Sequence, residues 1–328
     1  MSSIEITFND IQHMTQFTRR SKSTYILWAT LITGVVHASD SYQPVAENII
    51  DNLYAIIGPT GPRTYNNHAL NNNLGFIVTS EGVVLIDSGA SNQGARLIEH
   101  AVASVTEKPV RWVINTGSQD HRWLGNSYFA DKGAEIIALQ RTVQTQNSFA
   151  EQHLTMLSGL LGETFEGTRA YFAEQPVDAD FVTLTLGGEM IELEWLGDAH
   201  FPGDAVVFHP RTSTLFSGDL IYIDRMLGIL PFSDVIGWQS AFHKSELLNP
   251  VHIVPGHGPV SNSIDARRDT GDYLDWLVSN LTTAVEEWRG IDDTVNAFAD
   301  APQFMHLEHY DQWHRTNINR VYLQLENR

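Results

Sequence analysis

The chain has 328 residues, 42% of them hydrophobic and 18% charged, so it can bury one large core or two modest ones and lacks the composition of a disordered segment. Against 20 Lys and Arg stand 39 Asp and Glu, a formal charge of -19 that repels phosphate backbones and anionic lipid unless a basic patch is segregated. With no cysteine and 14 histidines, disulfide frameworks, thiol nucleophiles and Cys-ligated metal sites are excluded, while His and carboxylate metal chemistry stays open.

At the N-terminus Arg19, Arg20 and Lys22 precede an apolar run, Tyr25 to Val36, and the small residues Val36 and Ala38 flank a cleavage point after Ala38. The run is shorter than the ~20 residues that span a bilayer, so residues 1–38 read as a secretory signal and the mature protein as periplasmic or secreted. Short β-rich runs follow at Leu53–Ile57, Leu74–Thr79 and Val83–Asp87, the last two separated by the hairpin signal Ser80-Glu-Gly82. A helix is expected from about Gln93 to Val105, strands at Val110–Thr116 and Ala134–Leu139, and a helix from Arg141 to Leu160. The second half repeats the style with strands at Phe181–Thr185, Met190–Leu196, Asp204–Phe208, Thr214–Phe216 and Val251–Val254.

From Ser263 onward the chain reads as helical. Tyr273, Trp276, Leu277, Leu281, Ala284 and Trp288 keep the three-and-four spacing of one helix face, Gly290 ends that helix, and a second runs from Tyr310 to Glu326. Their histidines, His306, His309 and His314, read as a solvated or packed helical cap. Residues 45–262 are thus one α/β domain, and 263–328 a C-terminal helical extension.

The strand exits carry the chemistry. Asp87-Ser-Gly89, Asp120-His121, Gly218-Asp219 and Pro255-Gly-His257-Gly258 each follow a strand, and His200 sits in the loop Gly197–Gly203. Any one of these alone is more simply a helix cap or a turn residue. Five ionisable exits at once point to a shared site, because a rigid scaffold gathers ligands from distant sequence in this way. The polar loop Thr64–Asn73 is either a surface loop or a flap offering Tyr65 or His68 to a ligand.

On those residues the chain resembles the metallo-β-lactamase superfamily, over roughly Ile49 to Val260. Asp87-Ser-Gly89 is similar to the family's Asp-x-Gly turn. Thr116 to Gly125-Asn126 is similar to its Thr-His-x-His-x-Asp-His loop, His200-Phe-Pro-Gly203 to its third metal histidine, Ser217-Gly218-Asp219 to its bridging aspartate, and His257 to its Pro-Gly-His-Gly ligand. The resemblance implies an αββα sandwich with two metal sites.

The ligand-rich loop departs from that pattern and aligns in two ways. Matched without gaps, Gly117 and Gln119 fall on the two histidine positions, His121 on the aspartate and Arg122 on the last histidine. Matched at Asp120-His121, with one deletion and one insertion, Thr116 and Ser118 fall where the histidines belong. The gapped frame is favoured, since an arginine cannot ligate metal and an Asp-His pair can.

Either frame loses two histidines. The resemblance then implies one divalent metal held by Asp120, His121, Asp219 and His257, zinc foremost, with iron or manganese suited to the same donors. Asp120 or Asp219 would orient a metal-activated water and His200 would act as general acid/base or as an oxyanion donor, on a small ester, thioester or lactam. Partners are expected to be small molecules, not nucleic acid, with no stable membrane insertion once the signal is removed. The competing expectation is an accessory protein in the periplasm that kept the fold and lost catalysis. The ending Trp313 to Glu326 resembles the C-terminal helices of exported proteins of the sulfur-oxidation and quinoprotein-associated type.

Overall fold

A computed structural model describes residues 42–328, so the expected signal over 1–38 lies outside the described residues. The first sheet runs in chain order: β1 (Ala46–Ile50), β2 (Leu53–Ile56), β3 (Leu74–Val78), β4 (Val83–Ile86), β5 (Val110–Ile114) and β6 (Glu135–Ile137). β1 to β4 pair antiparallel, and the last two steps are parallel. Parallel neighbours need a crossover. It is supplied first by α1 (Asn92–Ala103), then by the short α2 (Asp120–Trp123) and α3 (Asn126–Ala130). Ser91 caps α1 by accepting from the Gly94 amide, and Leu97, Ile98, Ala101 and Val102 form its buried face. α4 (Gln140–Leu161) leads to the second half.

The second sheet holds β7 (Phe181–Leu186), β8 (Glu189–Glu194), β9 (Val206–His209), β10 (Thr214–Phe216) and β11 (His252–Val254), in the order β11-β10-β9-β8-β7. Its one parallel pair, β10 with β11, is bridged by α5 (Val235–Leu247). α6 (Ser263–Ala266), α7 (Asp272–Glu286), α8 (Ile291–Ala297) and α9 (Tyr310–Glu326) complete the chain.

Apolar packing is layered accordingly. Val84, Ile86, Val113's neighbour Ile114, Leu193, Val207, Phe216 and Val254 fill the space between the sheets. Phe76, Leu85 and Val113 face Ile98 and Val102 of α1. On the far side Val206, Phe208 and Leu215 share one cluster with Trp238, Tyr273, Leu277, Leu281, Ile318 and Val321. This is the expected αββα order. The helices after residue 262 are the outer layer of the second sheet, and the described residues belong to one compact unit. Among them no helix is long and apolar enough to cross a membrane.

Candidate metal centre

The exits of β4, β5, β10 and β11 and the loop after β8 open on one edge of the sandwich. Asp87, just past β4, takes a left-handed φ of 65°, a conformation a non-glycine residue keeps only where its surroundings hold it. Its carboxylate accepts from the amide and hydroxyl of Thr116, both at 2.7 Å, and from Arg122 Nη1 at 2.9 Å. Gly256 is required by crowding: a Cβ there would lie 2.5 Å from the Gly218 carbonyl and 2.7 Å from Asp219 Oδ1. Its lack of a side chain lets the β10 and β11 exits meet.

Three ligand-type side chains converge at this point. His121 Nε2 lies 3.1 Å from Asp219 Oδ2, and His257 Nε2 lies 3.3 Å from Asp219 Oδ1. One donor atom from each of the three falls within 4.8 Å of the others. His257 Nδ1 donates to the Asn71 carbonyl at 2.8 Å, which leaves the Nε2 lone pair facing the carboxylate. Burial, then the Arg225 charge, holds the His257 pKa well below its ordinary value, so the ring is neutral. A neutral imidazole lone pair and a carboxylate oxygen turned toward each other form a donor set that a divalent cation fits.

Asp120, expected as a fourth ligand, is not in this cluster. Arg63 pairs with its Oδ1, which also accepts from His121's own amide at 2.8 Å and lies 3.3 Å from His121 Nδ1. Burial opposes its charge, but Arg63 and then His121 outweigh that and keep the carboxyl ionised well below the usual range. Asp120 therefore stands behind His121, where a carboxylate orients a ligating imidazole.

The contacts of the loop fit the ungapped frame, where the expectation favoured the gapped one. Asn126 binds Ser88 and Asn115 at its far end, and Thr116 binds Asp87 at its near end. Thr116 and Ser118, the histidine positions of the gapped frame, are occupied with Asp87 and the Pro202 carbonyl. Gln119 Oε1 instead meets His200 Nε2 at 3.0 Å, and Gly117 has Asp204 Oδ1 only 2.9 Å from where a Cβ would be.

Arg122, which the ungapped frame puts on the last histidine position, is 1% exposed. It donates from Nε and Nη2 to the two oxygens of Asp219, at 3.1 and 2.5 Å, and from Nη1 to the Asn73 carbonyl at 2.9 Å. Burial works against its charge, yet Asp219 and Asp87 hold its pKa above the ordinary value. For Asp219 burial is likewise outweighed by Arg122 and then His121, which keep it ionised well below the usual range. His200 has no such anion in contact: burial pushes its pKa down to about 4, so at neutral pH it is an uncharged ring.

A cavity of about 370 Å³ opens beside these groups. His121, His200, His257, Tyr222 and Gln119 line it, with Arg63 and Asn71 from the loop before β3, Arg225 and Leu230 after β10, and His309, Gln312 and Trp313 at the start of α9. Of the loop 64–73, Asn71 reaches the cavity, while Tyr65 is 45% exposed and, like His68, is absent from the lining. His309, read as part of a cap, reaches the cavity and binds the Thr60 carbonyl at 3.0 Å. His306 and His314 do not; they bind Asp269 and the Tyr273 hydroxyl. Arg63, Arg225 and Trp313 carry no sequence signal, since each is remote from the ligand motifs or without a motif of its own.

The sequence pattern of the metallo-beta-lactamase superfamily matches residues 69–257, which holds every residue of this cluster. The chain belongs to that superfamily. It is 24% identical over 218 residues to metallo-beta-lactamase IND-1 of Chryseobacterium indologenes, covering 65% of this chain and 80% of that one. Among solved structures it resembles the metallo-beta-lactamase FIM-1 from Pseudomonas aeruginosa in its mono-zinc form, with a TM-score of 0.57 at 16% identity over 72% of this chain and 96% of that one. It also resembles a double mutant of the sec-alkyl sulfatase PisA1, with a TM-score of 0.65 at 15% identity over 86% of this chain and 50% of that one. At such identities the structural likeness is one of fold.

Proposed function

We propose that this superfamily member is a single-metal hydrolase of a small ester, thioester or lactam. The observation that carries the reading is the convergence of His121, Asp219 and His257, each 3% exposed, at the base of a cavity that the two histidines line, where three protein ligands match the count of a catalytic zinc site. A bound divalent ion, zinc foremost and iron or manganese from the same donors, would acidify a water and polarise a carbonyl oxygen. A second ion is disfavoured, because Gly117 and Gln119 stand on the two histidine positions and leave only His200, an amide oxygen and a share of Asp219.

The chain's own groups have separable tasks. Asp120 fixes the His121 ring so that Nε2 turns to Asp219, and Arg63 keeps that carboxylate charged. The Asn71 carbonyl does the same for His257. His200 acts in its neutral form, as a proton acceptor or a hydrogen-bond donor to an oxygen in the cavity, and not as the general acid expected from an unshifted ring. Asp219 binds and balances charge. The reading as an exported protein rests on residues 1–38 alone.

A second reading, an accessory protein without metal, draws support from Arg122, whose guanidinium already satisfies both oxygens of Asp219. Metal content of protein purified without chelators separates the two. About one ion per chain, lost in a His121→Ala, His257→Ala variant, is the expected result, whereas two ions per chain or none under any loading sinks the single-metal hydrolase. Ester, thioester, lactam and sulfate-ester substrates at neutral pH, the last because of the alkyl sulfatase likeness, then assign the bond that is cut.

A further inference from the structure

Three of the four sheet edges are blunted in the ways that keep a strand from pairing with another chain. β1 carries the exposed Glu47 and a bulge between Asn48 and Ile50. β6 has only three residues and is closed just past its end by Val177, which bonds to Ala138 and Gln140 at 2.9 and 2.8 Å. β11 is covered by Ser261, which exchanges bonds with Ile253 at 2.9 and 2.8 Å. β7 has no such protection. Phe181-Val-Thr-Leu-Thr-Leu186 holds no charge and no proline, pairs with β8 at all six positions without a bulge, and has no fully buried residue.

The Trp195 amide donates to the Asp180 carbonyl at 2.7 Å, which fixes the phase of the ladder. Alternate residues of an antiparallel pair bond to the neighbour, so Val182, Leu184 and Leu186 face β8 with their backbone groups. The N–H and C=O groups of Phe181, Thr183 and Thr185 point the other way, and among the described residues none of them has a partner. The free edge stops at Gly187, whose carbonyl accepts from the amide and hydroxyl of Ser80. Side chains are left open as well. Val182, Leu184 and Leu186 are half-buried at the rim of the core between the sheets. On the outer face the cluster beneath the helices includes Val206 and Phe208 of β9 but nothing from β7 or β8, and Phe181 and Met190 are 48% and 55% exposed.

We infer that β7 is the docking edge for a second copy of this chain, paired antiparallel about a two-fold axis at Thr183. Outward-facing backbone groups must oppose one another, and an axis at Thr183 uses those of all three residues. That register sets Phe181 of one copy opposite Thr185 of the other, in line with the Met190 that pairs with Thr185, so both exposed apolar side chains share one row. It also sets Val182 opposite Leu184, continuing the core between the sheets. Charge permits the pairing, since the nearest like charges, Glu192 and Glu194 on the two β8 strands, lie about 14 Å apart at three strand spacings, beyond the ~8 Å screening length. The chain's own N-terminal segment starts elsewhere: Tyr42 binds the Ile57 carbonyl and packs on the outer cluster of the first sheet. One strand edge and two side chains bury less than the ~1,200 Å² of a stable interface, so the association is weak. No residue of β7 lines the cavity, and the inference is independent of the hydrolase reading.

Sedimentation of the full-length protein tests it, with monomer expected at about 1 µM and dimer at about 300 µM. Thr183→Pro removes only an outward amide and leaves the ladder to β8 intact, so it should abolish the dimer at an unchanged urea midpoint. Thr183→Lys, which sets like charges against each other at the axis, should weaken the dimer roughly tenfold or more and decides the matter if the proline variant does not fold. Because the chain has no cysteine, Thr183→Cys should give a disulfide-linked dimer on oxidation, the ~5.5 Å between opposed Cα atoms being within reach. Thr185→Cys, about 14 Å from its own copy, should stay unlinked. A monomer at every concentration, a dimer that survives both Thr183→Pro and Thr183→Lys, or linkage through residue 185 and not 183 overturns the inference. So does a chain begun at Ser39 that dimerises where the full-length protein does not, which would assign the edge to the N-terminal segment.

Discussion

Arg122 is the residue whose replacement should be felt most. Removing it leaves Asp87 and Asp219 buried, at 1% and 3% exposure, without their cation. Loss of one partner of such a group costs about 3–5 kcal/mol. Arg122→Met should therefore lower the urea midpoint of metal-free protein by that order, while added zinc, now facing an unshared Asp219, should recover part of it. A midpoint that does not move would mean that the pairing contributes little.

The buried histidines set the acid side of stability. His200 has a folded pKa of about 4, below the ~6.5 of an unfolded ring, so the unfolded chain binds the extra proton. Stability is then unaffected above about pH 6.5 and falls as pH drops from there toward 4, by up to about 1.4 kcal/mol per unit for each such histidine. His257, shifted the same way, adds to this slope. The depressed Asp219 acts lower: its contribution is present above the ordinary carboxylate range and is lost below it. Urea midpoints of metal-free protein at pH 7 and pH 5 should differ, and His200→Gln, which can still meet Gln119, should shrink that difference.

Much of the centre was legible residue by residue, because His121, Asp219 and His257 each sit in a motif at a strand exit. Asp120 was legible as a site residue but its pairing was not, since Arg63 comes from a loop 57 positions earlier with no motif to mark it. The contacts of Gln119 and Ser118 that bear on the register of the loop are ones that only the folded chain makes.

At the scale of elements, β strands with continuous apolar runs were readable, β4 being buried at all four positions. β1 was not, because Ala46–Ile50 lies at an edge with no residue fully buried. Nor was α5, whose buried Val235, Trp238, Ala241 and Phe242 are interrupted by Gly237 and by polar residues. The close approach of the two sheets escapes a sequence reading altogether. A Cβ on Gly75 of β3 would lie 2.2 Å from the Phe216 ring of β10, and Gly75 pairs with Ile86, the residue before Asp87. Gly75→Ala should cost about 1–3 kcal/mol of stability and loosen the Asp87 turn. Full stability together with unchanged metal affinity would show that the sheets can part there without consequence.

For the molecule as a whole, the boundary drawn at residue 262 separates sequence styles more than it separates structures. Tyr273, Leu274, Leu277, Leu281, Ile318 and Val321 are all fully buried in the cluster that backs the second sheet. Each such side chain contributes about 1.5–3 kcal/mol relative to exposure, so the six together are comparable to the ~5–15 kcal/mol by which a domain is stable. A chain ending at residue 262 should be insoluble or digested at once in limited proteolysis; a soluble, cooperatively unfolding product would contradict the shared core. Periodicity showed these helices, but what they pack on depends on contacts across 60 or more residues, as between Val235 and Gln324.

The hold of Arg122 on Asn73, Asp87, Asp219 and Gly256 joins both sheets at four points before any ion arrives. The geometry of the ligands is thus inherited from folding and not assembled by what they bind. Stripping and reloading the centre should then be reversible without hysteresis, and different divalent ions should be exchangeable in a framework that keeps its shape throughout.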